Sequence, residues 1–184
     1  ETGLAAQDAL NLALKEWNSR QNRYRYRIFY LDDSGKAEQA QKNLLTLLEK
    51  QNAAAVITLW TPAAEKAIPL ADKFRRLHFT CAFGNGLSDG LYNFNHYLSY
   101  HTDKFTDDFR QAAGKLPASC SSNLYDALGL LIFAHENTPP DWGHSLPSAE
   151  RVSRSLHKIF NHASASGQIR IAPNGTVLPA EEQL

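Results

Sequence analysis

Tyr30-Leu-Asp-Asp-Ser-Gly-Lys-Ala-Glu-Gln-Ala40 decides the fold, because this stretch ends a strand at two carboxylates and then opens a helix at once. A second stretch, Ala55-Val-Ile-Thr-Leu-Trp-Thr-Pro62, repeats the pattern of an apolar strand that runs into a helix. Strands and helices that alternate in close succession predict an α/β fold with a mostly parallel sheet between helical layers. The ligands of such sheets lie beyond the carboxyl ends of the strands.

Further elements follow from the spacing of apolar residues along the rest of the chain. The pattern predicts helices over residues 4–17, 37–50, 61–74, 102–113 and 123–135, and a last helix after Ser148. It predicts strands over Arg25–Leu31, Ala54–Trp60 and His78–Phe83, with Ile28–Leu31 and Val56–Leu59 as neighbours or near neighbours. Leu91–Tyr100 is compatible with a strand or a loop. The Asn174-Gly175 turn predicts a C-terminal β-hairpin over Gln168–Leu178. We expect residues 1–184 to form one α/β domain.

Composition excludes several classes of function. Nineteen basic and nineteen acidic residues balance each other, so the chain lacks the basic field that nucleic-acid or anionic-membrane binding needs. No apolar run is long enough for a membrane span. The chain has no methionine, and Glu1–Gly3 resembles the remnant of a secretion vector.

The candidate ligand site lies at the ends of two predicted strands. Thr61 at the start of a helix can offer its hydroxyl and free amides to an anion, although a plain helix cap is the commoner role of such a residue. Trp60 can stack on a ligand or fill the core. Asn85, after the third strand, can line the same crevice or simply form a turn. The sequence therefore predicts a ligand-binding site where Trp60, Thr61 and Asn85 converge.

No catalytic, metal or cofactor site is predicted. The Asp32-Asp33 pair has no partner across a cleft for acid–base work, and capping of the next helix by Asp33 or Ser34 is the better interpretation. The seven histidines lack the spacing of a metal site. Cys81 and Cys120 are an even pair that can form a disulfide in an oxidising compartment, or can be two buried thiols. We expect them to be bonded if the protein is extracytoplasmic.

With these pieces in order, the chain resembles the type 1 periplasmic binding proteins of the branched-chain amino-acid class, whose fold also forms Venus-flytrap receptor ectodomains. The segments that carry the resemblance are Glu16-Trp-Asn18, Asp32-Asp33 with Ala37-Glu-Gln-Ala40, Ala55-Val-Ile57, Phe105-Thr-Asp-Asp-Phe109, Gly114-Lys-Leu-Pro117, Tyr125-Asp-Ala127 and Gly167-Gln-Ile169 with Asn174-Gly175. The resemblance implies a non-enzymatic, extracytoplasmic binding or sensor domain for a small polar solute such as an amino acid. The resemblance implies that Thr61 binds a ligand carboxylate through its hydroxyl and the amides of the helix start. Tyr125-Asp126 resembles a structural motif of the family near the hinge.

The chain departs from this family in two places. Family members have two lobes and nearly twice this length, so the chain looks reduced to about one lobe. The first, central strand of the fold also looks absent, since the chain opens in a helix. We expect the gap to be filled by a strand from a partner chain or a homodimer, or by Leu91–Tyr100 or the tail hairpin. A protein-interaction or dimerisation module that has lost its small ligand is therefore the alternative function.

Overall fold

The computed structural model describes residues 2–81, 91–94 and 101–180, and it is an α/β fold as predicted. Its helices are α1 (Thr2–Asn18), α2 (Ala37–Leu45), α3 (Thr61–Phe74), α4 (Asp103–Ala113), α5 (Ser121–Glu136) and α6 (Ala149–Leu156), and α2 continues as a π-helical turn over Thr46–Lys50. Its strands are β1 (Ala55–Thr58), β2 (Leu77–Thr80), β3 (Leu91–Phe94), β4 (His162–Ser164), β5 (Gly167–Ile171) and β6 (Thr176–Pro179).

The described strands form one mixed sheet in the order β1-β2-β3-β6-β5-β4. Neighbouring strands are parallel in the pairs β1–β2, β2–β3 and β3–β6. Strand β5 is antiparallel to both of its neighbours, β6 and β4. The predicted hairpin is therefore confirmed as β5 and β6. Gly175 lies in the turn between them with φ of 79°, a left-handed conformation that glycine adopts without strain.

The core lies on both faces of the sheet, which gives the predicted three layers. On one face, Phe79, Tyr92 and Phe94 of the parallel strands pack against α5 and α6. On the other face, Val56 of β1 packs against α2, its π-helical turn and α3 through Leu44, Leu48, Ala67 and Ala71. A further apolar cluster, here called the α1–α5 cluster, joins α1, α4 and α5 through Leu10, Ala13, Phe105, Phe109, Leu124 and Leu128.

The predicted strand over Arg25–Leu31 is wrong. Residues 23–31, here called the unpaired segment, are not part of a helix or strand, although their side chains alternate between exposed and half-buried from Arg23 to Ile28. Ile28–Leu31 therefore does not pair with β1, whose partner among the described strands is β2, although Ile28 packs against the same apolar cluster as Ile57. A segment becomes a strand only where a second backbone pairs with it, and no described strand pairs with this one.

The expectation that a segment of this chain fills the missing central position is also wrong for the described residues. Leu91–Phe94 does form a strand, but it lies between β2 and β6. The tail hairpin extends the sheet beyond β3, on the side away from β1. The remainder of Leu91–Tyr100, residues 95–100, lies outside the described part of the chain. None of the described helices is long and apolar enough to cross a membrane.

Candidate functional site at the end of strand β1

Helix α3 begins directly after β1, at the carboxyl end of the parallel strands. Trp60 takes the N-cap position with an extended backbone (φ −139°, ψ 154°), and its side chain makes no capping hydrogen bond. Thr61 is therefore the first helical residue and not the cap that the sequence suggested, and Pro62 in the first turn has no amide hydrogen to satisfy. The positive end of the α3 dipole thus lies at this edge of the sheet, where it favours an anion.

The Trp60 indole is held in place by Asp33. Its Nε1–H donates to Asp33 Oδ2 at 2.8 Å. The second carboxylate oxygen, Oδ1, accepts from the Gly35 backbone N–H at 2.9 Å. Both Trp60 and Asp33 are half-buried. The polar edge of the indole is therefore occupied by Asp33, and what remains for a ligand is the apolar face of the ring.

Asp32 and Asp33 form a turn, and neither of them caps helix α2. Asp32 Oδ1 accepts from the Ser34 N–H at 2.9 Å, which parallels the Asp33–Gly35 bond. Ser34 and Gly35 both have positive φ, at 52° and 69°. Lys36 occupies the N-cap of α2, so the expected capping by Asp33 or Ser34 is wrong. Aspartate side chains that bond the backbone two residues on are typical of such turns.

The structure brings together two of the three predicted ligand-binding residues. Trp60 and Thr61 are adjacent at the end of β1, whereas Asn85 lies outside the described residues. Asp33 is the residue of this site that sequence reasoning assigned to a different role. Its place at the carboxyl end of a predicted strand was the available signal, since side chains at that edge of a parallel sheet lie close together.

A second group of polar residues lies around the end of β2. The Cys81 N–H donates to the carbonyl oxygen of Thr58 at 3.3 Å, which fixes the backbone just after the strand. Cys81 and Cys120 are both free, half-buried thiols that pack against the α1–α5 cluster. Burial raises the pKa of the Cys81 thiol, and negative charge on Cys120 and Asp126 raises it further. The structure thus contains the two thiols without the predicted disulfide, which stays a prediction.

Asp126 is the most buried carboxylate of this region, with 4% of its surface exposed. Its oxygens accept from the backbone N–H groups of Ala165 at 2.7 Å and Ser166 at 3.0 Å, in the turn between β4 and β5. Burial raises the pKa of this carboxyl to about 6, although the hydrogen bonds from the turn oppose the shift. Asp126 therefore holds the antiparallel end of the sheet to helix α5. Tyr125 beside it donates to Glu16 of α1 at 2.5 Å.

The described residues include no group of His, Cys, Asp and Glu that could hold a metal ion. A cavity of about 580 Å³ lies between the end of α3 and α6 and is lined by Arg75, Arg76 and His157. Because Arg76 directly precedes β2, this cavity is at the opposite end of the parallel strands from Trp60. The candidate site is thus a surface at the end of β1 and does not coincide with that cavity.

Comparison with known proteins gives a result for the fold alone. No protein-family model and no curated protein matches the chain. Among solved structures, the branched-chain amino acid transporter substrate binding protein LivJ from Streptococcus pneumoniae, in complex with isoleucine, is 11% identical with a TM-score of 0.81, and the match covers 96% of this chain and 89% of that one. The leucine binding protein LivK from Thermotoga maritima is 12% identical with a TM-score of 0.75, over 95% and 88% of the two chains.

A third neighbour is the solute binding protein of an ABC transporter from Rhodopseudomonas palustris in complex with 3,4-dihydroxy benzoic acid. It is 11% identical with a TM-score of 0.74, over 97% of this chain and 86% of the other. All three neighbours are binding proteins. Identities this low establish the architecture and not the ligand. The chain therefore has the fold of the type 1 periplasmic binding proteins, here with one six-stranded sheet in the described residues.

Proposed function

We propose that this chain is an extracytoplasmic, non-enzymatic solute-binding or sensor domain, and that its ligand is a small polar solute with a carboxylate, such as an amino acid. The observation that carries the proposal is the start of α3, where Trp60 occupies the N-cap position without a capping bond from its own side chain, so that the helix N-terminus lies next to the indole ring. A helix N-terminus favours a carboxylate, and an aromatic face favours the apolar part of the same molecule.

The structural neighbours support this class of ligand. Two of them are complexes with isoleucine and with 3,4-dihydroxy benzoic acid, and both of these ligands combine a carboxylate with an apolar body. Trp60, Thr61 and Asn85 are the residues that we propose to contact the ligand. Asp33 is a positioning residue, because it holds the indole through Nε1 and its carboxylate would repel an anion that came close.

A thermal-shift panel of amino acids and small aromatic carboxylates tests the proposal. A ligand that binds the folded protein specifically raises its melting temperature by mass action. At a ligand concentration of one hundred times the Kd, the gain in the free energy of unfolding is about 2.7 kcal/mol. Trp60→Ala combined with Thr61→Val should abolish the shift. Trp142→Ala is the matched control, because Trp142 is completely exposed and should leave the shift unchanged.

Trp60→Phe separates stacking from positioning. Phenylalanine keeps an aromatic face but cannot donate to Asp33, so we expect weakened binding and not its loss. The proposal fails if no compound in the panel shifts the melting temperature, or if the Trp60→Ala/Thr61→Val protein binds as well as the unchanged one.

The extracytoplasmic location carries a separate chemical consequence. We propose that Cys81 and Cys120 form a disulfide when the protein is secreted into an oxidising compartment. Both thiols contact the same apolar cluster, and each is half-buried. Intact mass before and after alkylation without reductant decides the matter: a bonded pair takes up no alkyl group. Two alkylated thiols in natively secreted protein would refute the bond and weaken the assignment of the compartment.

A second candidate function is a protein-interaction or dimerisation module on the same fold. One observation favours it: β1 is an edge strand whose only partner among the described strands is β2. An edge of this kind is a template for pairing with another chain.

A further inference from the structure

The cavity of about 580 Å³ between the end of α3 and α6 has a charged lining that the proposed solute site does not use. Three guanidinium groups, one imidazole and two carboxylates belong to this lining, namely those of Arg75, Arg76, Arg154, His157, Asp72 and Glu150. The guanidinium groups come from two directions, because two of these arginines follow α3 and the third lies on α6. A concave site with an excess of positive charge favours an anionic small molecule.

Arg76 is the least exposed of the three arginines, and one of its hydrogen-bond donors has no acceptor. Its Nη2 donates to Asn52 Oδ1 at 2.7 Å, which fixes the guanidinium group just before β2. Its Nε–H is buried and has no hydrogen-bond acceptor among the described residues. A buried donor without an acceptor is unfavourable, so an anionic oxygen placed beside Arg76 would be bound favourably.

Arg75 occupies a backbone position at which glycine is the usual residue. It caps the end of α3 with φ of 51° and ψ of 54°, which is the left-handed conformation. A β-carbon makes this conformation unfavourable, and helices that end in it mostly have glycine there. Backbone strain of this kind is concentrated at functional sites. The strained position brings Arg75 into the lining of the cavity, beside Arg76.

The α6 side of the cavity is held in place by the core. The hydroxyl of the fully buried Tyr92 shares a 2.7 Å hydrogen bond with Ser153 Oγ, and its ring lies 5.6 Å from the His157 ring between centroids. Arg154 pairs through Nη2 with Glu150 one turn earlier. A guanidinium group has five N–H donors, so this ion pair leaves donors of Arg154 for a ligand.

We propose that this cavity binds a small organic phosphate, whose phosphate oxygens accept hydrogen bonds from the three guanidinium groups. A phosphate monoester presents three terminal oxygens and about 1.5–2 negative charges at neutral pH, whereas a carboxylate presents two oxygens and one charge. Arginine forms bidentate hydrogen bonds with either group. The convergence of three arginines is what favours the phosphate, because its oxygens can engage guanidinium groups from more than one direction.

The size and the remaining lining of the cavity indicate that the phosphate is attached to an organic group. Volumes of about 300–1,000 Å³ are typical of sites for organic ligands. Ala71, Leu77 and Ala149 supply apolar surface for such a group. The inference does not depend on the proposed solute site, because the cavity lies at the amino ends of the parallel strands and Trp60 lies at their carboxyl ends.

Isothermal titration calorimetry with phenyl phosphate tests the proposal, since this probe joins a phosphate group to an apolar ring. We expect binding by the unchanged protein and at least about tenfold weaker binding by Arg76→Gln and by Arg154→Gln, because each variant loses one charged donor group. Arg110→Gln is the matched control and should bind as the unchanged protein does. Arg110 is also an exposed helical arginine paired with a carboxylate, that of Asp107, but it lies on α4 and outside the lining of the cavity.

Benzoate and a variant of the other site supply the second arm. The Trp60→Ala/Thr61→Val protein should keep its affinity for phenyl phosphate and should bind benzoate at least about tenfold more weakly, since benzoate has the same ring but a carboxylate. If Arg76→Gln fails to fold, Arg154→Gln still decides, because the Arg154 side chain is 67% exposed.

Three results overturn the proposal: no binding of phenyl phosphate, equal losses in Arg154→Gln and Arg110→Gln, or equal affinity of the Trp60→Ala/Thr61→Val protein for benzoate and phenyl phosphate. Loss of phenyl phosphate binding in the Trp60→Ala/Thr61→Val protein would place the probe at the start of α3. That result would also overturn this inference, but it would leave the proposed solute site intact.

Discussion

Two stretches of this chain have the same sequence signals for a strand, yet only one becomes a strand. Ala54–Trp60 contains β1, which pairs with β2 over four residues from Ala55 to Thr58. Arg25–Leu31 has an equally apolar end and a clear alternation, but it lies outside the sheet. The difference shows that an apolar run indicates a propensity for strand structure. Whether a strand forms depends on a pairing partner that is far away in sequence.

The two stretches also differ in what stabilises them. The sheet is held by backbone ladders between strands whose large side chains are fully buried, such as Phe79 and Tyr92, which stack at 5.0 Å between ring centroids. The unpaired segment is held by the side chains of Glu136 and Asn18 and by half-buried contacts of Tyr26 and Ile28. The predictions below use this contrast.

The largest difference is expected from matched truncations in the two regions. Phe79→Ala removes a fully buried ring at the centre of the sheet and should lower the free energy of unfolding by about 3–5 kcal/mol. Ile28→Ala removes a half-buried side chain of the unpaired segment and should lower it by about 1 kcal/mol, since less apolar area is buried there. Urea denaturation measures both. Equal losses would mean that the segment belongs to the core as fully as β2 does.

Most of the fold could be predicted because its signals are local. Helices α3 and α4 begin at Thr61 and Asp103, within one residue of the predicted positions, and α4 ends at Ala113, just before Gly114 with its φ of 69°. The Asn174-Gly175 turn correctly predicted the hairpin. The strand order could not be predicted, because it depends on contacts between distant segments. The short strand β4 has no strong apolar pattern, and it pairs with β5 through the turn that Asp126 holds.

A pH-dependent effect is expected from inside the paired sheet. His78 of β2 is fully buried and shares a 2.8 Å hydrogen bond between its Nε2 and Thr58 Oγ1. Burial lowers the pKa of His78 from 6.5 to about 4. The unfolded chain therefore takes up a proton first as the pH falls, so stability that is present above pH 6.5 is lost towards pH 4, by up to about 3 kcal/mol. Urea denaturation across this range measures the loss.

Two variants show whether this loss comes from His78. The double variant Thr58→Val/His78→Leu replaces the pair by apolar side chains and should remove the loss. Asp126→Asn should do the opposite, because the raised pKa of Asp126, about 6 against 3.8, makes stability fall as the pH rises between these values. Its removal should make the increase of stability with pH steeper. A double variant that keeps the full dependence of the unchanged protein would assign the effect to other groups.

A smaller effect is expected where side chains replace the ladder. Glu136→Ala leaves the N–H groups of Arg23 and Tyr24 without their acceptor, and Tyr26 loses a 2.6 Å bond from its hydroxyl. We expect a loss of about 2 kcal/mol in the free energy of unfolding, since hydrogen bonds to a charged group are stronger than neutral ones. Glu150→Ala is the control: its exposed ion pair with Arg154 should contribute less than about 0.5 kcal/mol. Equal losses in the two variants would mean that Glu136 does not anchor the segment.

The candidate site was predictable only in part. Trp60 and Thr61 follow from the rule that ligands lie at the carboxyl ends of parallel strands, and the structure places both there. The bond between Trp60 and Asp33 joins residues 27 positions apart, and it depends on how the unpaired segment lies against the sheet. The sequence could not predict that the helix cap is Trp60 and not Thr61. Both residues precede Pro62, and only the backbone angles decide between them.

Hydrogen exchange of the backbone amides tests the central claim most directly, namely that residues 27–31 have no backbone hydrogen-bond partner among the described residues, while β2 pairs with strands on both sides. The Leu77–Thr80 amides should exchange at least about three orders of magnitude more slowly than those of residues 27–31, relative to their intrinsic rates. Slow exchange of both regions would contradict the account, because the amides of residues 27–31 would then have hydrogen-bond acceptors that are not found among the described residues.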